Sequence, residues 1–196
     1  MKIVCVNGAP CSGKTTFINY CLEELGERAK NLSMVEFVKK IATDCGWDGK
    51  KTAENRKFLS DLKDLLTEWN DVPWKNIAIK IAEHKTYISL HGYDREDAVF
   101  FIDVREPVEL ARYKKEYNAI TILIENPNLT NIEVSNHADA NVRYFEYDYY
   151  LINGGSLEDL QYLAKKFCQN TIDGNVSNYK VVRGDQESVF EETRYF

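Results

Sequence analysis

Lys2-Ile3-Val4-Cys5-Val6-Asn7-Gly8-Ala9-Pro10-Cys11-Ser12-Gly13-Lys14-Thr15-Thr16-Phe17 is the stretch from which the rest of the chain is read. Residues 2–6 carry Ile3, Val4 and Val6, the apolar and β-branched composition of a buried strand. A helical pattern runs from residue 14 to about residue 25, with Phe17, Ile18, Cys21, Leu22 and Leu25 on one face. Between them, residues 8–15 match G-x-x-x-x-G-K-[ST] in the context that the pattern requires, a strand before and a helix after. Gly8 and Gly13 let the backbone curl so that successive N–H groups turn inward, the arrangement that suits phosphate oxygens. The positive end of the helix dipole adds to this. Gly8, Ala9, Pro10, Cys11, Ser12, Gly13, Lys14, Thr15 and Thr16 are therefore the expected contacts of a nucleoside triphosphate, taken to be ATP. Lys14 supplies charge to the β- and γ-phosphates, Thr15 a hydroxyl for Mg²⁺, and Thr16 a reach to the α-phosphate.

Outward from this stretch the pattern alternates. Ser33 with Glu36 at capping-box spacing predicts a helix that ends near Gly46. Phe58, Leu59, Leu62, Leu65, Leu66 and Trp69 recur at helical spacing, with Trp69 expected in the core. Asp71-Val72-Pro73 breaks that helix and opens another, with Trp74, Ile77, Ala78 and Ile81 inward. Strands are expected at residues 98–102, 119–124 and 147–152, with a helix from Pro107 between the first two. A last helix is capped by Ser156 and Asp159 and carries Leu157, Leu160, Leu163 and Phe167. The alternation implies an α/β fold, a parallel sheet covered by helices on both faces. In domain terms, residues 1–169 form the core, with a candidate lid at 126–145. Residues 170–196 form a tail, which either adds an edge strand at 179–182 or is loosely attached.

Composition limits the partners. The chain has 196 residues, 44% of them hydrophobic, enough for one core. The net charge of -6 speaks against a binder of duplex nucleic acid. The N-terminus lacks the apolar region and cleavage site of a signal peptide, and no apolar run approaches the roughly 20 residues that span a bilayer, so a cytosolic location is expected. Cys5, Cys11, Cys21, Cys45 and Cys168 are odd in number and widely spaced, which argues against a disulfide framework or a zinc site.

Among proteins with such a loop, GTPases need an Asn/Thr-Lys-x-Asp motif, and neither form occurs here. Motor ATPases usually end a second strand in Asp-Glu, whereas here Phe101-Ile102-Asp103 is followed by Val104-Arg105. Arg105 sits two residues past a strand end, at the edge where parallel sheets bind ligands. An arginine there can fork onto a substrate phosphate. Asp103 reads as a residue that holds Mg²⁺ through water or accepts a proton from the acceptor, the alternative being a cap of the next turn.

These residues carry a resemblance to the P-loop nucleoside and nucleotide kinase superfamily. More closely, the chain resembles phage-type deoxynucleoside monophosphate kinases and animal-type phosphomevalonate kinases. The similar stretches are residues 8–15, Phe101-Ile102-Asp103-Val104-Arg105, Thr121-Ile122-Leu123-Ile124, Ser135-Asn136-His137-Ala138-Asp139 and the run from Tyr147 to Leu160 through Asn153-Gly154-Gly155-Ser156. The resemblance covers residues 1–168 and implies a three-layer P-loop NTPase fold with a mobile lid. Its implied activity is transfer of the γ-phosphoryl group of ATP, with Mg²⁺, to a small phosphorylated acceptor, foremost a (deoxy)nucleoside monophosphate. It assigns Lys14 and Thr15 to ATP and Mg²⁺, and Asp103 and Arg105 to the acceptor side. The Asp-Gly-(Phe/Tyr)-Pro-Arg signature of adenylate kinases is absent. Arg143 is the one arginine between residues 126 and 145, where such lids carry several, and it is the lid's candidate catalytic residue. An ATP-binding regulatory module with weak or no transfer is the alternative. Arg56, beside Lys50 and Lys51, is a candidate on the acceptor side. Arg112 is read as a solvated helix residue and His137 as loop surface.

Overall fold

The computed structural model describes residues 1–50, 52–129, 142, 145–172 and 181–183. In chain order the elements are β1 (Lys2–Asn7), α1 (Lys14–Leu25), a 3-10 turn (Gly26–Arg28), β2 (Ala29–Ser33), α2 (Glu36–Asp44), α3 (Ala53–Asn70), α4 (Val72–Leu90), β3 (Val99–Asp103), α5 (Pro107–Tyr117), β4 (Ile120–Glu125), β5 (Tyr149–Ile152), α6 (Leu157–Ile172) and β6 (Val181–Arg183). The strands form one sheet in the order β2-β3-β1-β4-β5-β6, and every neighbouring pair is parallel.

The period of two along β1 sends alternate side chains to opposite faces. Val4 and Val6 meet Phe17, Ile18 and Cys21 of α1 and Leu160, Leu163 and Phe167 of α6. Ile3 and Cys5 meet Trp74, Ile77 and Ile81 of α4 and Leu110 and Tyr113 of α5. Each of the larger buried side chains contributes about 1.5–3 kcal/mol. Both faces of the sheet are thus covered, and the result is the expected three-layer α/β arrangement. No helix among the described residues is long and apolar enough to cross a membrane.

Local chemistry explains two of the helix starts. Pro107 opens α5, where its missing N–H is harmless. Ser156 Oγ accepts from the Asp159 amide, and Asp159 Oδ2 accepts from the Ser156 amide, at 3.2 and 2.7 Å. That is the expected reciprocal cap of α6.

Several expectations need correction. Ser33 closes β2 and is not the cap of α2, whose N-cap is Val35. β2 itself was not expected. It is an edge strand, Ala-Lys-Asn-Leu-Ser, and none of its residues is fully buried, so its sequence lacks an apolar run. α4, for which the sequence set no end, runs to Leu90, with His84 and Ile88 also buried. Trp69 is not in the core: it is 74% exposed, and Phe58 and Leu65 are exposed with it on α3. α6 ends at Ile172, past residue 169, and the expected edge strand of the tail is found at Val181–Arg183.

Arg112 is more engaged than a solvated residue. Its guanidinium stacks 3.8 Å over the Trp74 ring and pairs with Asp71 and Glu116 at 2.6 and 2.8 Å.

His84 is 3% exposed, and its Nε2 donates to the Arg28 carbonyl at 3.3 Å. Burial lowers its pKa below the ordinary 6.5, with the bond to Arg28 acting the other way. Below about pH 6.5 the unfolded chain therefore takes up a proton that the native chain resists. Stability must fall as pH drops through that value, with no contribution from His84 above it. The melting temperature of His84→Gln should consequently decline less between pH 7.5 and 5.5 than that of the wild type. Equal slopes would remove His84 as a source of acid sensitivity.

Candidate functional site

Because the sheet is parallel, the carboxyl ends of its strands share one edge. β1 is followed by α1, which packs on one face, and its neighbour β3 is followed by α5, which packs on the other. A crevice opens where adjacent strands diverge in this way. Residues 8–13 enter that crevice directly from the end of β1, and Asp103 lies beside them, paired with Val6 in the ladder.

The loop is held by its neighbours. Gly8 has φ +152° and Gly13 φ +100°, and Cys11 is left-handed at +63°. A Cβ on Gly8 would collide with the Ile124 carbonyl oxygen and the Ser12 hydroxyl, and one on Gly13 with the Asn153 amide. Asn153 Nδ2 donates to the Ser12 carbonyl at 2.9 Å, and the Asn153 amide to the Glu125 carbonyl at 2.7 Å. The loop after β5 thereby buttresses the loop after β1. At the other end, Asn7 Oδ1 accepts from the Gly8 amide at 2.7 Å.

α1 begins without a side-chain cap and without an acidic residue in its first turn. Its leading N–H groups therefore face the loop, with the positive end of the dipole behind them. Lys14 is 7% exposed. Its ammonium folds back over the loop and donates to the Gly8 and Ala9 carbonyls at 2.6 and 2.9 Å. That places a cation against the loop at the start of α1, an arrangement suited to a polyphosphate. Thr15 and Cys11 are exposed, Thr16 is half-buried and Ser12 is buried.

Asp103 Oδ1 is buried and accepts no hydrogen bond, and Ser12 Oγ is likewise buried and unpartnered. An orphaned carboxylate oxygen at the strand end fits an outer-sphere ligand of a hard cation, which keeps several waters of its own. With the Thr15 hydroxyl these residues fit Mg²⁺. No group of three or more His, Cys, Asp or Glu suited to a metal occurs among the described residues.

The structure thus brings Gly8, Ala9, Pro10, Cys11, Ser12, Gly13, Lys14, Thr15, Thr16, Asp103 and Arg105 to one edge. Arg105 is exposed there, and its carbonyl accepts from Asn7 Nδ2 at 3.2 Å. Arg143 and His137 lie outside the described residues, as does most of the candidate lid. Asn7, Tyr147 and Asn153 are supporting residues to which the sequence assigned no role, Tyr147 and Asn153 figuring there only within the similar run from Tyr147 to Leu160. A polar residue directly after the apolar run Ile3–Val6 was the available signal for Asn7.

α3 also reaches this edge. Lys63, in its middle, pairs with Glu109 in the first turn of α5, and both are half-buried. The N-terminal half of α3, with Arg56, extends from that point.

No protein-family model matches the sequence, and no curated protein matches it. Among solved structures, the crystal structure of TT1252 from Thermus thermophilus aligns over 86% of this chain and 97% of that chain, at 15% identity and a TM-score of 0.42. A likeness of that degree carries no argument about activity.

Proposed function

We propose that the chain is an ATP-dependent phosphotransferase of the P-loop kinase type that passes the γ-phosphoryl group to a small phosphorylated acceptor, foremost a (deoxy)nucleoside monophosphate. The observation that carries this reading is the glycine-bounded loop at the switch point, with Lys14 folded over it and the unpartnered Oδ1 of Asp103 beside it.

Phosphoryl transfer asks for positioning and charge neutralisation more than for covalent chemistry by the protein. Loop amides and the α1 N-terminus hold the β- and γ-phosphates. Lys14 moves its charge from the loop carbonyls onto the γ-phosphate oxygens as negative charge develops there. Thr15 and, through water, Asp103 would hold Mg²⁺, which would supply further neutralisation. Arg105 holds the acceptor so that its phosphate oxygen attacks the γ-phosphorus in line. The new O–P bond forms as the bond to the β,γ-bridging oxygen breaks, and ADP leaves with that electron pair. Arg56, in the N-terminal half of α3, is the further candidate to hold the acceptor.

The test is ADP release from Mg-ATP with a panel of ribo- and deoxynucleoside monophosphates, with phosphomevalonate and buffer as further arms. Release that depends on one acceptor supports transfer and names its class. Equally slow release in every arm would sink the monophosphate reading. It would favour the ATP-binding regulatory module, which the single arginine between residues 126 and 145 motivates. Asp103→Asn should lower Mg²⁺-supported turnover by about 10–100-fold, the range for an outer-shell metal partner. The deficit should shrink as Mg²⁺ is raised in a titration. A deficit that ignores Mg²⁺ would assign Asp103 to the acceptor proton instead.

A further inference from the structure

Asn7 is fully buried at the end of β1, and all of its side-chain hydrogen-bonding groups are used. Oδ1 accepts from the Gly8 amide, the first of the phosphate loop, at 2.7 Å. One Nδ2 hydrogen goes to the Arg105 carbonyl at 3.2 Å and the other to the Tyr147 hydroxyl at 2.8 Å. The Tyr147 hydroxyl, buried itself, donates onward to the Val142 carbonyl at 2.8 Å. The Tyr147 ring stands edge-on to Phe145 and to Tyr150, and its amide donates to the Tyr150 hydroxyl at 3.2 Å.

A buried primary amide needs a partner for each group, or it costs about as much as a lost hydrogen bond per group. A leucine would fill the space at the end of a core strand without that demand. What the amide does here is join three segments far apart in sequence, the loop after β1, the turn after β3 and the segment before β5. Two of these carry the residues assigned above to ATP and to the acceptor.

We propose that Asn7, braced by the Tyr147 hydroxyl, is the positioning residue that sets the Arg105 turn against the phosphate loop. This rests on the phosphotransferase reading. It adds that the acceptor side of the crevice is held in register with the ATP side by this junction and not by the sheet alone. Geometry sets the magnitude: a displacement of about 1 Å between reacting groups can lower turnover by roughly 100-fold.

Tyr147→Phe removes one hydroxyl and leaves the ring packing in place, and Asn7→Leu removes the whole junction. Both go into the ADP-release assay with the best acceptor of the panel. Mg-ATP affinity is measured by calorimetry, and amide hydrogen exchange is followed in peptides covering residues 103–110. For Tyr147→Phe, Mg-ATP affinity should stay within about twofold of wild type while kcat falls about tenfold and the acceptor KM rises. Amides 104–106 should exchange faster, and protection of residues 8–16 by Mg-ATP should persist. The double variant should be no slower than Asn7→Leu, because the hydroxyl acts through the amide.

Unchanged exchange at residues 104–106 in both variants would overturn the proposal. So would a loss of ATP affinity that matches the loss of kcat. If the wild type releases no ADP with any acceptor, the phosphotransferase reading fails by itself, and the exchange comparison still decides whether the junction sets the Arg105 turn.

Discussion

Lys14→Ala should lower acceptor-dependent phosphoryl transfer by on the order of 10²–10³ or more, the loss expected when a preorganised charge is removed from a transferring group. The side chain is nearly inaccessible, and its ammonium is already held at the loop by the Gly8 and Ala9 carbonyls. Little reorganisation is needed to bring it onto a phosphate. The same bonds give the residue a structural share, since those carbonyls lose a charged donor, a loss of about 1.5–3 kcal/mol. Thermal melting of the variant would separate the two effects. A protein still cooperatively folded at the assay temperature, with transfer nearly abolished and Mg-ATP binding weakened, is the expected outcome. Transfer within tenfold of wild type would show that Lys14 does not meet the transferring phosphate, and the assignment of the loop would fall with it.

Gly8→Ala should be strongly damaging for so small a substitution. The residue has φ +152°, a region that L side chains rarely occupy, and its new methyl group would run into the Ile124 carbonyl. That carbonyl belongs to β4, which pairs with β1 on one side and β5 on the other, so the obstacle is backbone that cannot rotate away. Backbone strain and overpacking together cost on the order of 3 kcal/mol, which lowers the melting temperature by roughly 10 °C in a domain of this size. Relief by a shift of the loop would move the Gly8 amide off Asn7 and distort the phosphate cradle, so nucleotide binding should fail even where the protein folds. Calorimetry with Mg-ATP and a melting curve on the same sample check both parts. Wild-type affinity and stability would mean that the loop is not held against β4.

Much of this architecture is legible in the chain. β1, β3 and β4 stand out as continuous apolar runs because they are buried on both faces, and the loop is legible because its chemistry is packed into eight consecutive residues. β2 is hidden, since an edge strand with Lys30, Asn31 and Ser33 has no apolar run to show. The stripe Phe58, Leu65 and Trp69 misleads for a related reason. Helical periodicity reveals that one side of α3 is apolar, but whether another element covers that side depends on packing. The arginine at residue 105 could be placed at the carboxyl edge of the sheet from sequence, whereas its tie through Asn7 to the loop after β1 could not.

Local sequence therefore specifies the strand-loop-helix unit at residues 2–25, because the geometry of this glycine-bounded loop needs only neighbouring residues, glycine torsions and the start of a helix. Tertiary structure alone specifies what surrounds it. Asn7 meets Arg105 and Tyr147 across 98 and 140 residues, and Asn153 meets Ser12 across 141. Such contacts arise only when parallel strands far apart in the chain bring their carboxyl ends to one edge, and no local period or propensity records them.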